Sequence, residues 1–203
     1  MTETSTLPDT RPLFLQALDQ VTPLIADVTP SDLDRPTPCD DWTVRELLGH
    51  LVGVGRRIPH IAAGGSPDEV PARTDGVADD GWANSWNDRL GGLRASASAS
   101  GTALDQIVIH PAGRMPWAIA LGIYASEMAV HSWDLARALG RDDDLDDSIA
   151  AAVVGPMRGA LPAEPRGEEL GIPFGPVVQV PADSPPYAQL VAWVGRDPEW
   201  VAA

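Results

Sequence analysis

The segment from Pro116 to Leu139 constrains this chain more than any other. It is periodic at helical spacing over its whole length, opens on a proline suited to a helix start and stops at Gly140. Ile119, Ile123, Glu127, His131 and Leu135 follow one another four residues apart, so they form one stripe along the predicted helix. A largely apolar stripe of that length has to be buried against other helices. It carries a carboxylate and an imidazole into positions expected to face the core. There a charge needs a partner and a ring nitrogen needs a hydrogen bond.

The rest of the chain supplies the packing partners. Thr10 is placed to cap a first helix with Pro12 in its first turn, in which Phe14, Ala17, Leu18, Val21, Leu24, Ile25 and Val28 recur at helical spacing. Pro23 lies inside that run and predicts a kink or a break. Three prolines make Thr29 to Asp41 a loop. Thr43 and Glu46 then form a T-x-x-E capping box, with Trp42 and Leu47 placed as a hydrophobic staple, and Val44, Leu47, Leu48, Leu51, Val54 and Ile58 follow on one face. After a long Gly- and Pro-rich connection, Gly64 to Gly81, a third helix is predicted from about Asp80 to Ser100, with Trp82, Trp86, Leu90 and Leu93 inward. Leu104 to Ile109, followed by His110-Pro-Ala-Gly113, reads as a short extended segment and turn. Beyond Gly140 a fifth helix spans about Asp146 to Leu161, and the Pro- and Gly-rich remainder holds an extended run, Pro176 to Val180, and a short helix, Tyr187 to Val194. The reading is a mainly α fold: a short tail over 1–9, then one helical-bundle domain over 10–203.

Charge and composition narrow the function. Fourteen basic residues stand against 29 acidic ones, a formal charge of −15. Such a surface lacks the basic stripe that nucleic-acid binding needs. Every basic residue is Arg, so Schiff-base chemistry and a phosphate-binding P-loop lysine are excluded. One cysteine, Cys39, excludes an intrachain disulfide and any multi-cysteine metal site. Met1 to Asp9 contain no apolar signal-like stretch, and no apolar run approaches the roughly 20 residues of a membrane span. The expectation is a soluble cytoplasmic protein with no membrane or nucleic-acid partner.

Three ionisable side chains stand out. His50 lies between Leu47 and Val54 on the apolar face of the second helix, and Gly49 and Gly53 beside it would let another backbone come close. Glu127 and His131 project from one face of the long helix. A divalent metal held by His50, Glu127 and His131 would satisfy all three, as a His₂Glu set with a position left open for water or substrate. A buried Glu–His hydrogen-bonded pair with His50 at the boundary satisfies the same sequence. Asp134 is placed either to orient His131 or to sit solvated on the helix, and Trp133 to line a pocket beside the site. Cys39 reads as a reactive thiol near a helix start or, more commonly in such a loop, as a small buried apolar residue. His60 and His110 read as surface or turn residues. The acids from Asp142 to Asp147 lack calcium-loop spacing and belong to a solvated helix start.

Three stretches carry a family resemblance: Arg35-Pro-Thr-Pro-Cys-Asp-Asp-Trp-Thr-Val-Arg-Glu-Leu-Leu-Gly-His-Leu-Val-Gly53, then Glu127-Met-Ala-Val-His-Ser-Trp-Asp-Leu-Ala-Arg137, and the ending Gly195-Arg-Asp-Pro-Glu-Trp200. They resemble the DinB-like superfamily and, more narrowly, actinobacterial metal-binding proteins related to the metal-binding domain of mycothiol-dependent maleylpyruvate isomerase. The resemblance implies a DinB-like four-helix bundle, here with short extended segments and additional C-terminal helices. It implies a divalent metal, zinc or nickel, on His50, Glu127 and His131. It also implies a transferase or isomerase that uses a small-molecule thiol, mycothiol, against an electrophilic substrate, and it is compatible with a homodimer. A rival reading of the same residues is a metal-stabilised module that binds a ligand or partner and catalyses nothing.

Overall fold

The computed structural model describes residues 7–39, 42–167, 170, 172 and 174–202; most of the predicted tail, Met1 to Thr6, lies outside them, as do Asp40 and Asp41 of the first motif. Among the described residues, six α-helices and a hairpin follow in the order α1 (Arg11–Ala26), α2 (Val44–Ala62), α3 (Trp82–Ser96), β1 (Ile107–His110), β2 (Gly113–Pro116), α4 (Trp117–Leu139), α5 (Asp147–Ala160) and α6 (Pro186–Trp193). α1 packs mainly on α4 and α2 mainly on α3; contacts between α2 and α4 and between α1 and α3 close the four into a bundle. α5 and α6 pack on each other and against α4. Every residue from Met128 to Ala136 is buried, more than two full turns with no exposed side, which makes α4 the central helix.

Most local signals act as read. Glu46 closes the start of α2 by accepting from the Thr43 backbone N–H at 2.7 Å and the Thr43 hydroxyl at 2.9 Å. Gly140 ends α4 in the left-handed conformation, φ 70°. The Asp146 side chain caps α5 through the Ser148 N–H at 2.8 Å. The extended segment and turn form an antiparallel hairpin in which Val108 pairs with Met115.

Three expectations are corrected. α1 runs through Pro23 unbroken: the Asp27 N–H donates to the Pro23 carbonyl at 3.2 Å, and the burial of Val21, Leu24 and Ile25 around it outweighs the bond the proline cannot make. Thr10 makes no side-chain cap; its hydroxyl donates instead to the Ala118 carbonyl at 2.7 Å and ties α1 to the start of α4. The run Pro176 to Val180 pairs with no strand among the described residues; Val178 donates its N–H to the Ala192 carbonyl at the end of α6 at 2.9 Å. The α4 stripe does not face the core throughout. Ile119 is 40% exposed and Ile123 half-buried, whereas His131 and Leu135 are buried, so the stripe passes from the surface to the interior at Glu127.

The glycines flanking His50 serve as read. Thr74 donates its N–H to the Gly49 carbonyl at 2.9 Å, and a Cβ on Gly53 would stand 2.4 Å from the Ala72 carbonyl oxygen and 2.8 Å from the Arg73 Cα. The connection before α3 therefore lies directly on α2. Gly53→Ala should destabilise the protein by about 1–3 kcal/mol through backbone overpacking, although alanine is the better helix former. Gly155→Ala in α5, where a Cβ meets nothing within 4 Å, should stabilise it by about 0.5–1 kcal/mol. Paired thermal melts check the two signs.

Candidate metal centre

α2 and α4 carry the three predicted ligands to one place. The His50 Nε2 lies 2.9 Å from Glu127 Oε1, and one ligand atom from each of His50, Glu127 and His131 falls within 4.8 Å of the other two. The two imidazoles meet edge to face, with ring centroids 4.9 Å apart. Glu127 sits at the boundary of the core, its side chain 25% exposed, so the cluster is buried on one side and reachable on the other.

Behind this cluster lies a second layer of charge. Asp134 is fully buried; one of its oxygens lies 2.9 Å from His131 Nδ1, and Arg196 donates to both oxygens, each at 2.9 Å. Of the two possibilities weighed for Asp134, the structure therefore shows the hydrogen bond to His131 and not a solvated carboxylate. Since Asp134 engages Nδ1, the Nε2 atom of His131 is the one left for a ligand role. Burial alone would raise the Asp134 carboxyl, but the Arg196 charge and the bonds from His131 and Arg196 outweigh it and hold it below the usual carboxylate range. Burial pushes the His131 imidazole below its ordinary value against the opposing pull of Asp134. Glu127 also lies below its usual range, because the His50 hydrogen bond and the surrounding imidazoles outweigh the penalty of burial.

Three residues at this site carry roles that sequence reasoning missed. Trp42, read as a staple for Leu47, lays its ring against both histidines, 5.1 Å from His50 and nearly parallel to His131 at 6.1 Å. The Arg73 guanidinium covers that ring at 5.3 Å, and Arg73 also lines a cleft of about 350 Å³ with Arg45, Glu46, Gly49, Thr74 and Trp82. Arg196 belongs to the ending motif, whose geometry now has an explanation. Gly195 has φ 89° and packs so closely on Gly175 that a Cβ would meet backbone at 2.7 Å, while Arg137 holds the Pro198 carbonyl at 2.9 Å. The one available signal for Arg196 was the need of Asp134 for a cation.

Trp133 is buried in the core cluster with the Arg137 guanidinium over its ring at 5.5 Å. Cys39 is half-buried on the Asp134 side of His131, its sulfur within 4.8 Å of ligand atoms of both. His60 is a surface residue, paired with Glu69 at 2.6 Å. His110 is a correction: it ends β1 at the turn, but its alternating position in the strand turns it inward and leaves it only 6% exposed.

Residues 14–136 match the family model of the mycothiol maleylpyruvate isomerase N-terminal domain. The chain belongs to that family. Two relatives from Mycobacterium tuberculosis, uncharacterized protein MT0763 of strain CDC 1551 / Oshkosh and uncharacterized protein Rv0738 of strain ATCC 25618 / H37Rv, are each 31% identical over 181 residues, which cover 89% of this chain and 94% of the relative. The crystal structure of the mycothiol-dependent maleylpyruvate isomerase superposes with a TM-score of 0.60 at 15% identity, over 99% of this chain and 85% of that one. The isomerase-family fold is thus shared across the bundle and the residues after it. No helix among the described residues is long and apolar enough to cross a membrane.

The Asp134–Arg196 pair makes a definite demand. Arg196→Met leaves a buried carboxylate without its cation and should cost about 3–5 kcal/mol at pH 7. Asp134 has a depressed folded-state pKa, so its contribution is present above the unfolded value of about 3.9 and is lost as pH falls through the lower folded value. The difference between wild type and variant should therefore shrink below about pH 4. Urea titrations at pH 7 and at acid pH measure it.

Proposed function

We propose that His50, Glu127 and His131 hold a divalent metal, zinc or nickel, and that the protein is a thiol-dependent transferase or isomerase acting on an electrophilic small molecule. The observation that carries this reading is the donor set itself. Two imidazoles and a carboxylate converge within 4.8 Å, and His131 is already oriented through Nδ1 by a buried, Arg-clamped aspartate. Carboxylate-backed histidine is the arrangement that metal sites use to fix a ligand ring and raise its basicity. A divalent ion bound there would supply Lewis acidity, lowering the pKa of a thiol so that it is presented as the thiolate nucleophile.

The chain's own residues do the rest. Asp134 and Arg196 fix His131; Trp42 walls the two histidines on one side; Glu127, at the point where the α4 stripe surfaces, leaves the centre reachable from outside. Family membership supports mycothiol as the thiol, and the name of the superposed isomerase suggests an unsaturated keto acid as one type of electrophile.

Metal analysis tests the site first. His50→Ala and His131→Ala should each lose most stoichiometric zinc or nickel, while His60→Ala keeps it; full retention in both of the first two overturns the ligand set. Thiol chemistry is tested on cobalt-substituted protein, where mycothiol should produce a sulfur-to-metal charge-transfer band that strengthens as pH rises through the lowered thiol pKa. Unchanged spectra with the ion in place would overturn the thiol reading in favour of a binding module.

A further inference from the structure

One polar pair in the interior has no part in the metal centre. His110, on the inward face of β1, and Tyr124, on α4, meet edge to face with ring centroids 4.9 Å apart; they are 6% and 2% exposed. The His110 Nε2 and the Tyr124 hydroxyl are both buried without a hydrogen-bond partner among the described residues. Such groups are uncommon, because an unmatched buried donor forfeits the hydrogen bond it would make to water. Two of them side by side call for a reason.

The protonation state of the imidazole follows from its neighbours. The Ala112 N–H donates to His110 Nδ1 at 3.0 Å, so the neutral ring must carry its proton on Nε2. Burial holds the ring below its ordinary pKa and keeps it neutral. Nε2–H is therefore a fixed, unspent donor, and the Tyr124 hydroxyl, which burial pushes far above its ordinary value, is a second. Tyr124 stands about one helical turn before Glu127 on α4, and His110 packs against Tyr124. The two donors thus belong to the neighbourhood of the proposed metal centre.

We infer that His110 and Tyr124 form an oxygen-receiving site, which accepts the carbonyl oxygen of an electrophile whose carbonyl is conjugated to the carbon that takes the thiol. The inference rests on the thiol-addition reading above. In the step it serves, a C–S bond forms at the β-carbon, the C=C π pair shifts toward the carbonyl, and negative charge gathers on its oxygen. The thiol proton has already left, and a proton returns later at the α-carbon. Two prepositioned donors stabilise that oxygen without reorganising, the role of an oxyanion hole.

Two variants test this. Tyr124→Phe removes only the hydroxyl, and His110→Asn keeps an acceptor for the Ala112 N–H while withdrawing the ring donor. Tyr124→Phe should raise the melting midpoint by about 2–4 °C, because an unmatched buried hydroxyl is lost. In the zinc-loaded wild type, without thiol, saturating cyclohex-2-enone should shift the ¹⁵N resonance of His110 Nε2. With mycothiol, both variants should slow addition to cyclohex-2-enone by about 100-fold, leave zinc content unchanged and leave reaction with carbonyl-free 1-chloro-2,4-dinitrobenzene unaffected. A lower melting midpoint in Tyr124→Phe, an unmoved resonance, or equal loss toward both electrophiles overturns the inference. A shifted resonance in a protein that adds thiol to neither electrophile overturns the thiol reading and leaves the oxygen site standing.

Discussion

Asp134 is a carboxylate with no solvent access, and the ordering of the site depends on how that charge is met. Arg196 grips both of its oxygens, and the carboxylate in turn holds His131. Without the guanidinium, the buried Asp134 charge would be uncompensated, and the imidazole would be held less firmly by its carboxylate partner. A residue after the last helix thus governs the posture of one in the central helix. The same ending is anchored twice more, by the tight contact of Gly195 on Gly175 and by Arg137 on the Pro198 carbonyl, so Arg196 is presented from a firm base.

The second organising feature is the gradient along α4. One stripe begins at Ile119 on the surface and ends at Leu135 in the core, and its ionisable members occupy the crossing. Placed nearer Ile119, Glu127 would be an ordinary solvated carboxylate. Placed nearer Leu135, it would carry a desolvation penalty that His50 alone would struggle to offset. At the crossing it keeps a perturbed pKa and an open side together, the combination that chemistry at a protein site requires.

Much of this was legible in the sequence because the signals were local. The capping box at Thr43 and Glu46, the glycine stop at Gly140 and the helical spacing of α2 and α4 each depend on residues a few positions apart, so the bundle could be read directly, and with it the meeting of His50, Glu127 and His131. Gly49 and Gly53 even announced a close backbone approach, though not which backbone. What could not be read depends on tertiary placement. Trp42 was assigned to its near neighbour Leu47, yet its ring lies against His131, far along the chain. Arg196 is separated from Asp134 by 62 residues. His110 was judged by its proline neighbour and its turn, whereas its burial was decided by which face of a two-stranded hairpin meets the bundle. The break expected at Pro23 is absent for a similar reason, since local geometry yields to the packing around it.

The His50–Glu127 contact joins two helices whose partners are separated by 77 residues, and that span has a thermodynamic consequence. An ion or ligand that engages both helices recognises the folded state alone, so its affinity and the cohesion of the bundle are one linked quantity. Any substitution that loosens α2 against α4, however far from the histidines, is felt there as weaker binding, by about tenfold for each 1.4 kcal/mol of lost preorganisation. The distant glycine contacts and the C-terminal clamp are therefore determinants of affinity as much as of fold.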